Sequence, residues 1–147
     1  MNQAFPPIQE LLPHRGPAIL IDEVLSDSED SIRVAANINR NHPYFMLGRG
    51  VPSWVGIELM AQAVAAHAGL ANRRTNTAPR IGMLLGVRSF NTETRYFHEG
   101  ELLEITSISQ FGESGDIAAC ACTIQCGGKI VAQGTLIIMQ TEKQARL

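Results

Sequence analysis

The sequence predicts an α+β fold in which a curled antiparallel sheet wraps around one long helix. Three observations predict it: one long segment of helical composition, strand-like segments on both sides of it, and apolar side chains around the whole circumference of the helix. A helix that is apolar on every side is enclosed by the rest of the protein. A single sheet encloses a helix only by curling around it, and such sheets usually complete the enclosure by pairing in dimers.

The composition is that of one domain with an aliphatic core. The chain has 147 residues, of which 45% are hydrophobic and only 5% aromatic, and its formal net charge is −2. We expect a single domain over residues 1–140 and a polar C-terminal tail over residues 141–147. A weakly acidic chain without a dense basic cluster is a poor partner for nucleic acid.

No segment predicts a membrane span or an export signal. No apolar run approaches the ~20 residues that cross a bilayer. Residues 1–7 lack the basic stretch followed by an apolar stretch that marks a signal peptide. We therefore expect a cytoplasmic protein.

Two strands and a loop precede the helix. Residues 8–12 lie between prolines, which allow at most a short helical turn. Residues 18–25 (AILIDEVL) and 31–38 (SIRVAANI) are predicted strands joined by a polar turn, so they form a hairpin. Residues 39–52 are rich in Asn, Gly and Pro and are predicted to be loop.

The helix is predicted over residues 53–71 (SWVGIELMAQAVAAHAGLA). Pro52 and Ser53 suit its start, whereas Gly69 and Asn72 suit its end.

A polar linker over residues 72–79 and four strands follow the helix. The strands are predicted over residues 81–90, 102–111, 117–125 and 130–139. Turns at residues 98–101, 112–115 and 127–128 separate them, and Gly127-Gly128 is a strong hairpin signal. A hairpin, one enclosed helix and four further antiparallel strands make up the hot-dog fold.

Three cysteines fall close together, at Cys120, Cys122 and Cys126. Their offsets of two and four place them on one face of a strand. A metal site would need Cys-x-x-Cys spacing or nearby histidines, and neither is present. We predict that these side chains are small buried apolar groups and that the protein has no metal site.

Glu58 is the side chain of the helix with the clearest chemical potential. A carboxylate in an apolar environment is costly unless it is paired, hydrogen-bonded or protonated, and a protonated carboxyl group is a usable general acid. Gln62 lies four residues further on, so its amide shares a face with Glu58 and can orient it. The alternative is a solvated acidic residue in the first turns, which the helix dipole favours.

Two histidines are predicted to have no part in the chemistry. His67 lies roughly 180° around the helix from Glu58 at about 3.6 residues per turn, so it is predicted to be a packing or surface residue. His98 lies in a turn with Glu99 and is predicted to be solvated.

The other two histidines lie in loops before the helix. Pro13 and Pro17 fix the backbone around His14, which suits either a residue held for a task or a rigid start of a strand. His42 belongs to the loop before the helix, where a structural role is favoured.

The start of the helix is a candidate site for polarising a carbonyl group. Ser53, Trp54 and Val55 offer backbone N–H groups at the positive end of the helix dipole, where a developing enolate is stabilised. Gly56 leaves room for a thioester arm. With an acid one turn later, this arrangement suits chemistry at the α-carbon or the β-hydroxyl of an acyl thioester.

Two motifs resemble the 3-hydroxyacyl-acyl carrier protein dehydratases of fatty acid synthesis. Residues 11–24 (LLPHRGPAILIDEV) are similar to the N-terminal signature of that family. Residues 52–62, from Pro52 to the Glu58-Leu59-Met60-Ala61-Gln62 run, are similar to its helix start. The later strands are similar in layout, so the resemblance covers nearly the whole chain.

The resemblance implies an active site at a dimer interface, where a histidine of one subunit faces the acidic residue of the other. It also implies a hydrophobic acyl tunnel and a substrate carried on the phosphopantetheine arm of an acyl carrier protein, with no other cofactor. Glu58 carries over as the acid and His14 as a residue that lines the tunnel; we predict that both are catalytic. The expected substrate-binding residues are Gln62, Ser53, Trp54 and Pro13.

One departure concerns the base of this family. Its histidine lies fourteen positions before the acidic residue, and Tyr44 occupies that position here. Aligned on its upstream part, the loop is instead about four residues shorter and lacks the histidine-bearing part. Either His14 or His42 has taken the role of base, or the chain has lost it; we predict His14. The chain is more similar to a variant branch, the dehydratase-like proteins of aryl polyene pigment pathways.

Three functions fit these residues. In the first, a base removes the α-proton of a 3-hydroxyacyl thioester while Glu58 protonates the departing hydroxyl. In the second, Glu58 activates water in a thioesterase. In the third, the chain is a non-catalytic partner of an active dehydratase subunit. The assembly is expected to be a homodimer or higher oligomer, or a heteromer.

Overall fold

The computed structural model describes residues 4–76, 80–111 and 116–142. It has the predicted α+β architecture, one long helix and a curled antiparallel sheet. The strands are β1 (Glu23–Asp27), β2 (Ser31–Asn37), β3 (Val51–Pro52), β4 (Arg80–Thr92), β5 (Tyr96–Phe97), β6 (Leu102–Phe111), β7 (Ile117–Cys126) and β8 (Lys129–Glu142). The helix α1 spans Gly56–Thr75, and 3₁₀ turns occupy Ile8–Glu10, Gly16–Ala18 and Ser53–Val55. Among the residues described, no helix is both long and apolar enough to cross a membrane.

The main sheet has the strand order β1-β2-β6-β7-β8-β4, and all of its neighbours are antiparallel. β3, which comes just before α1 in the chain, pairs with β5 to form a separate short sheet. The helix touches β2, β6, β7, β8 and β4, because the sheet curls around it. The core between them is aliphatic, as the composition predicted.

Two of the three cysteines belong to this core. Side chains alternate along a strand, so β7 buries Cys120 and Cys122 toward the helix, while Cys126 is half-buried. Burial raises the pKa of the Cys122 thiol to about 12. The prediction of buried small apolar groups is therefore confirmed for Cys120 and Cys122.

The first predicted strand is partly wrong. Residues 18–25 were expected to be a strand, but the ladder begins only at Glu23. The backbone N–H of Leu20 donates to the side-chain oxygen of Gln62, at 2.8 Å, instead of to a neighbouring strand. Because Leu20 is hydrogen-bonded to the helix, this segment enters the sheet five residues later than predicted.

The end of the helix was also predicted wrongly. α1 continues past Gly69 to Thr75 and stops at Asn76, which has the left-handed conformation (φ 54°, ψ 37°). Gly69 serves packing: a Cβ atom there would lie 2.5 Å from the carbonyl oxygen of Leu11. The glycine that suggested a helix end instead lets the N-terminal segment approach the helix backbone.

The strands after the helix agree closely with the prediction. β6 has its predicted bounds, whereas β4, β7 and β8 are slightly longer. Thr141 and Glu142, which were expected in the tail, extend β8. Residues 77–79, 112–115 and 143–147, which cover part of the predicted linker, a predicted turn and the rest of the tail, lie outside the described residues.

One stripe of the helix is not fully enclosed within a single chain. Ile57, Ala61, Ala65 and Ala68 follow each other at helical spacing and are only half-buried. The predicted enclosure is therefore incomplete in one chain, on a face built mainly of small residues.

Candidate active site

A cavity of about 530 Å³ opens beside the start of α1. Ligand pockets in proteins commonly have volumes of roughly 300–1,000 Å³. The cavity is lined by His14, Pro17, Ala18, Leu20, Pro43, Tyr44, Trp54, Val55, Ile57 and Glu58. Two of these side chains, His14 and Glu58, are the expected catalytic residues, and the others are almost all apolar.

His14 and Glu58 contact each other within one chain. The Nε2 atom of His14 lies 3.3 Å from Oε1 of Glu58. The two side chains are 28% and 45% exposed, respectively, so both are open to the cavity. Glu58 is therefore not buried as expected, because its side chain is 45% exposed, although it has the polar partners that a carboxylate needs. The resemblance implied a histidine from a second subunit, whereas this contact needs only one chain.

Gln62 connects Glu58 with the segment that follows His14. Its amide Nε2 donates to Oε1 of Glu58 at 3.1 Å and to the carbonyl oxygen of Ala18 at 2.7 Å. Its Oε1 accepts the backbone N–H of Leu20. The predicted contact with Glu58 is therefore present. The two contacts with residues 18–20 were not predicted, although they hold the segment after His14 against the helix.

The backbone around His14 is held locally as well. The guanidinium of Arg15 donates to the carbonyl oxygens of Leu12, Pro13 and His14 at 2.9–3.3 Å. The Nδ1 atom of His14 is buried and has no hydrogen-bond partner among the described residues. Nε2 is consequently the ring nitrogen that contacts Glu58.

Two aromatic residues form one wall of the cavity. The rings of Tyr44 and Trp54 meet edge to face, with centroids 5.7 Å apart. Trp54 was expected near the substrate because of its backbone N–H group, whereas its side chain forms part of the cavity wall. The position of Tyr44 in the wall was not predicted, because the sequence singled out Tyr44 only as the residue at the position of the family's histidine.

Two expected substrate-binding residues lie elsewhere. The backbone N–H of Ser53 was expected to be unpaired, but it donates to the carbonyl oxygen of Arg95 at 2.9 Å, beside the β3–β5 pair. The Ser53 side chain is buried and contacts Thr92. Pro13 is exposed and does not line the cavity; it only precedes His14.

The other three histidines do not line this cavity. His67 is 7% exposed and its Nε2 lies 2.9 Å from the carbonyl oxygen of Ser28, which confirms the predicted packing histidine. His98 is exposed, as expected. In the ranges that the structure describes, no group of three or more His, Cys, Asp or Glu side chains is arranged to hold a metal ion.

The sequence is similar to dehydratases over nearly its whole length. A family model described as ApeP-like, ApeP dehydratase, matches residues 6–147. The 3-hydroxyacyl-acyl-carrier-protein dehydratase FabZ of Pseudothermotoga lettingae is 30% identical over 135 residues, which cover 89% of this chain and 91% of the relative. FabZ of Streptococcus mutans is 29% identical over 135 residues, with coverage of 88% and 91%.

Solved structures give the same result for the fold. The dehydratase heterocomplex ApeI:P from Xenorhabdus doucetiae superposes with a TM-score of 0.86 at 26% identity, covering 95% of this chain and 93% of that chain. A hypothetical thioesterase from Streptococcus pneumoniae, with coenzyme A, has a TM-score of 0.65 at 13% identity, with coverage of 84% and 88%. The second likeness concerns the fold alone.

These findings confirm the hot-dog fold and the predicted resemblance to the acyl carrier protein dehydratases. The family match extends through both motifs that suggested it, from the segment that carries His14 to the helix that carries Glu58. This chain belongs to the ApeP-like dehydratase family.

Proposed function

We propose that this protein dehydrates 3-hydroxyacyl thioesters carried on an acyl carrier protein, in fatty acid or polyene biosynthesis. The observation that carries the proposal is the 3.3 Å contact between His14 Nε2 and Glu58 Oε1 in an otherwise apolar cavity. An acid and a base side by side are what elimination of water from adjacent carbons requires. The apolar walls suit an acyl chain, and membership of a dehydratase family supports the same reaction.

In the proposed reaction, Nε2 of His14 takes the α-proton of the substrate. The electron pair of that C–H bond forms the double bond, and the bond from the β-carbon to the hydroxyl oxygen breaks. Glu58 gives its proton to the departing hydroxyl, which leaves as water. His14 is then protonated and Glu58 ionised, so transfer of the proton from Nε2 to Oε1 restores the starting state.

We assign the base to His14 and not to His42 or Tyr44. His14 contacts Glu58 directly, whereas no contact joins His42 to Glu58 among the described residues. The hydroxyl group of a tyrosine is a much weaker base than a neutral imidazole.

The experiment compares Glu58→Gln and His14→Ala with the wild type on a 3-hydroxyacyl carrier substrate, with the enoyl product measured by mass spectrometry. Each substitution removes a proton-transfer group, so kcat falls by roughly 10²–10⁴-fold while the circular dichroism spectrum is unchanged. His98→Ala is the matched control, because His98 is exposed and does not line the cavity.

Other outcomes separate the alternatives. Wild-type turnover by a folded Glu58→Gln variant makes Glu58 structural and contradicts the proposal. Release of free acid instead of the enoyl thioester identifies a thioesterase. A wild type that is inactive on every carrier substrate, alone and with a second dehydratase subunit, identifies a non-catalytic partner.

We further propose that the chain assembles with a second hot-dog subunit along β4. This strand is an edge of the sheet, and its side chains Met83, Leu84 and Leu85 are 45–51% exposed. The opposite edge, β1, is short and carries Glu23 and Asp27, which disfavours strand pairing there. The heteromeric state of the ApeI:P structure supports a partner with a different sequence.

A further inference from the structure

We propose that His42 is a positioning residue that holds Tyr44 against Trp54 and thereby fixes the aromatic wall of the cavity. His42 does not line the cavity. It acts on the reaction through the residue two positions further along the chain. The proposal depends on the dehydratase activity only for its kinetic test, since the conformational test needs no substrate.

The contact is a hydrogen bond from the loop backbone to the imidazole. The N–H of Tyr44 donates to Nδ1 of His42 at 3.1 Å. The ring centroids of His42 and Tyr44 are 6.0 Å apart, and those of Tyr44 and Trp54 are 5.7 Å apart. A continuous series of contacts therefore leads from His42 to the cavity wall.

The imidazole accepts this bond only when Nδ1 carries no proton. Burial lowers the pKa of His42, and the charge of Asp22 opposes this shift to a smaller extent. The lowered pKa favours the neutral ring, and the bond from the Tyr44 N–H requires the ring proton to be on Nε2. That Nε2 atom is buried and has no partner in the part of the chain described. The contact between Nδ1 and the Tyr44 N–H is therefore what holds the His42 ring in the loop.

An asparagine in the same loop makes a hydrogen bond of the same type. The side-chain oxygen of Asn39 accepts the N–H of Asn41, also two positions further on, at 2.8 Å. Asparagine side chains often accept the N–H two residues on and so stabilise turns. The Nδ1 atom of histidine and the side-chain oxygen of asparagine are equally distant in bonds from the backbone. Asparagine is therefore the conservative replacement for His42, and alanine is not.

Fluorescence tests the conformation without any substrate. Trp54 is the single tryptophan of the sequence, so its emission reports the position of Tyr44. We expect His42→Ala to red-shift the emission and to increase quenching by iodide, because Tyr44 no longer covers one side of the indole. His42→Asn retains the wild-type emission. His98→Ala serves as the control histidine and leaves the emission unchanged.

Kinetics test whether the wall matters for the substrate. His42→Ala raises KM by roughly 3–10-fold with kcat within about twofold of wild type, the pattern of a lost binding contact. His42→Asn restores KM. In a Tyr44→Ala background, His42→Ala adds little, since residues that act through one contact are not additive.

Three results overturn the proposal: wild-type emission for His42→Ala, failure of His42→Asn to restore both measurements, or full additivity with Tyr44→Ala. A loss of kcat as large as that of His14→Ala makes His42 a proton-transfer group instead. If His42→Ala does not fold, His42→Gln replaces it, because its amide lies one bond further from the backbone and cannot make the same turn. The emission result stands whether or not the chain is a dehydratase.

Discussion

Gln62 connects the two halves of the candidate site through one buried amide. It is completely buried, and it bonds Glu58 on its own helix and residues 18 and 20 on the segment that follows His14. One side chain thus sets the distance between the helix and the loop that carries the histidine. The 3.3 Å contact between His14 and Glu58 depends on this distance.

Gln62→Leu keeps most of the buried volume but removes every hydrogen bond of the amide. The N–H of Leu20 is buried and loses its acceptor, so the free energy of unfolding falls by about 1–3 kcal/mol. The activity falls as well, because Glu58 is no longer oriented. Urea unfolding followed by circular dichroism measures the first effect. Gln133→Leu, on an exposed position of β8, is the control and changes neither quantity.

The residues of this site differ in how well the sequence predicts them. Glu58 and Gln62 share a helix face four residues apart, and His14 lies in a motif, so all three were predicted. The hydrogen bond from the Tyr44 backbone to His42 was not predicted, because a side chain that bonds a loop backbone leaves no periodic pattern. The N–H of Ser53 was wrongly expected to be free, because its partner, the carbonyl oxygen of Arg95, is distant in sequence.

Gly69 shows how packing overrides a local signal at the scale of the element. Glycine near the end of a helical pattern is typical of a helix terminus, yet α1 continues for six more residues. The close carbonyl of Leu11 explains the glycine, and that contact joins segments far apart in sequence. Strand bounds after the helix were predicted well, because their alternation and turns are local. The start of β1 was not, because Gln62 binds that segment.

Gly69→Ala tests this explanation. In an unobstructed helix the change stabilises by about 1 kcal/mol. Here the new Cβ would lie 2.5 Å from a backbone oxygen, so we expect the free energy of unfolding to fall by roughly 1–3 kcal/mol. Thermal and urea unfolding measure it. Gly86→Ala, whose Cβ would meet no atom within 4 Å, is the control. A stabilised Gly69→Ala variant contradicts the packing argument.

The whole molecule has two surfaces that suggest a partner. The outer edge of β4 carries three half-exposed apolar side chains, and the stripe of α1 that includes Ala61 and Ala65 is only half-buried. A long apolar edge strand is prone to pair with another chain. A subunit joined along β4, as proposed above, would cover the first of these two surfaces.

Leu85→Arg places a charge on this edge and tests the assembly. Leu85 is 51% exposed, so the fold tolerates arginine, but pairing along β4 would bring the charge into the interface. We expect sedimentation to show a smaller assembly than that of the wild type, either alone or mixed with a second dehydratase subunit. Ile130→Arg is the control, because Ile130 is 43% exposed and lies on β8. Equal assembly of Leu85→Arg and wild type contradicts the proposed interface.

His14 and Glu58 come from the same polypeptide, and this has a consequence for how a mixed assembly evolves. A subunit that joins along β4 need supply neither group. After a gene duplication, such a partner is free to lose its own reactive side chains, provided that it keeps the shape of the shared edge. Selection would then act differently on the two genes: on the reacting side chains in one, and on the complementary surface in both.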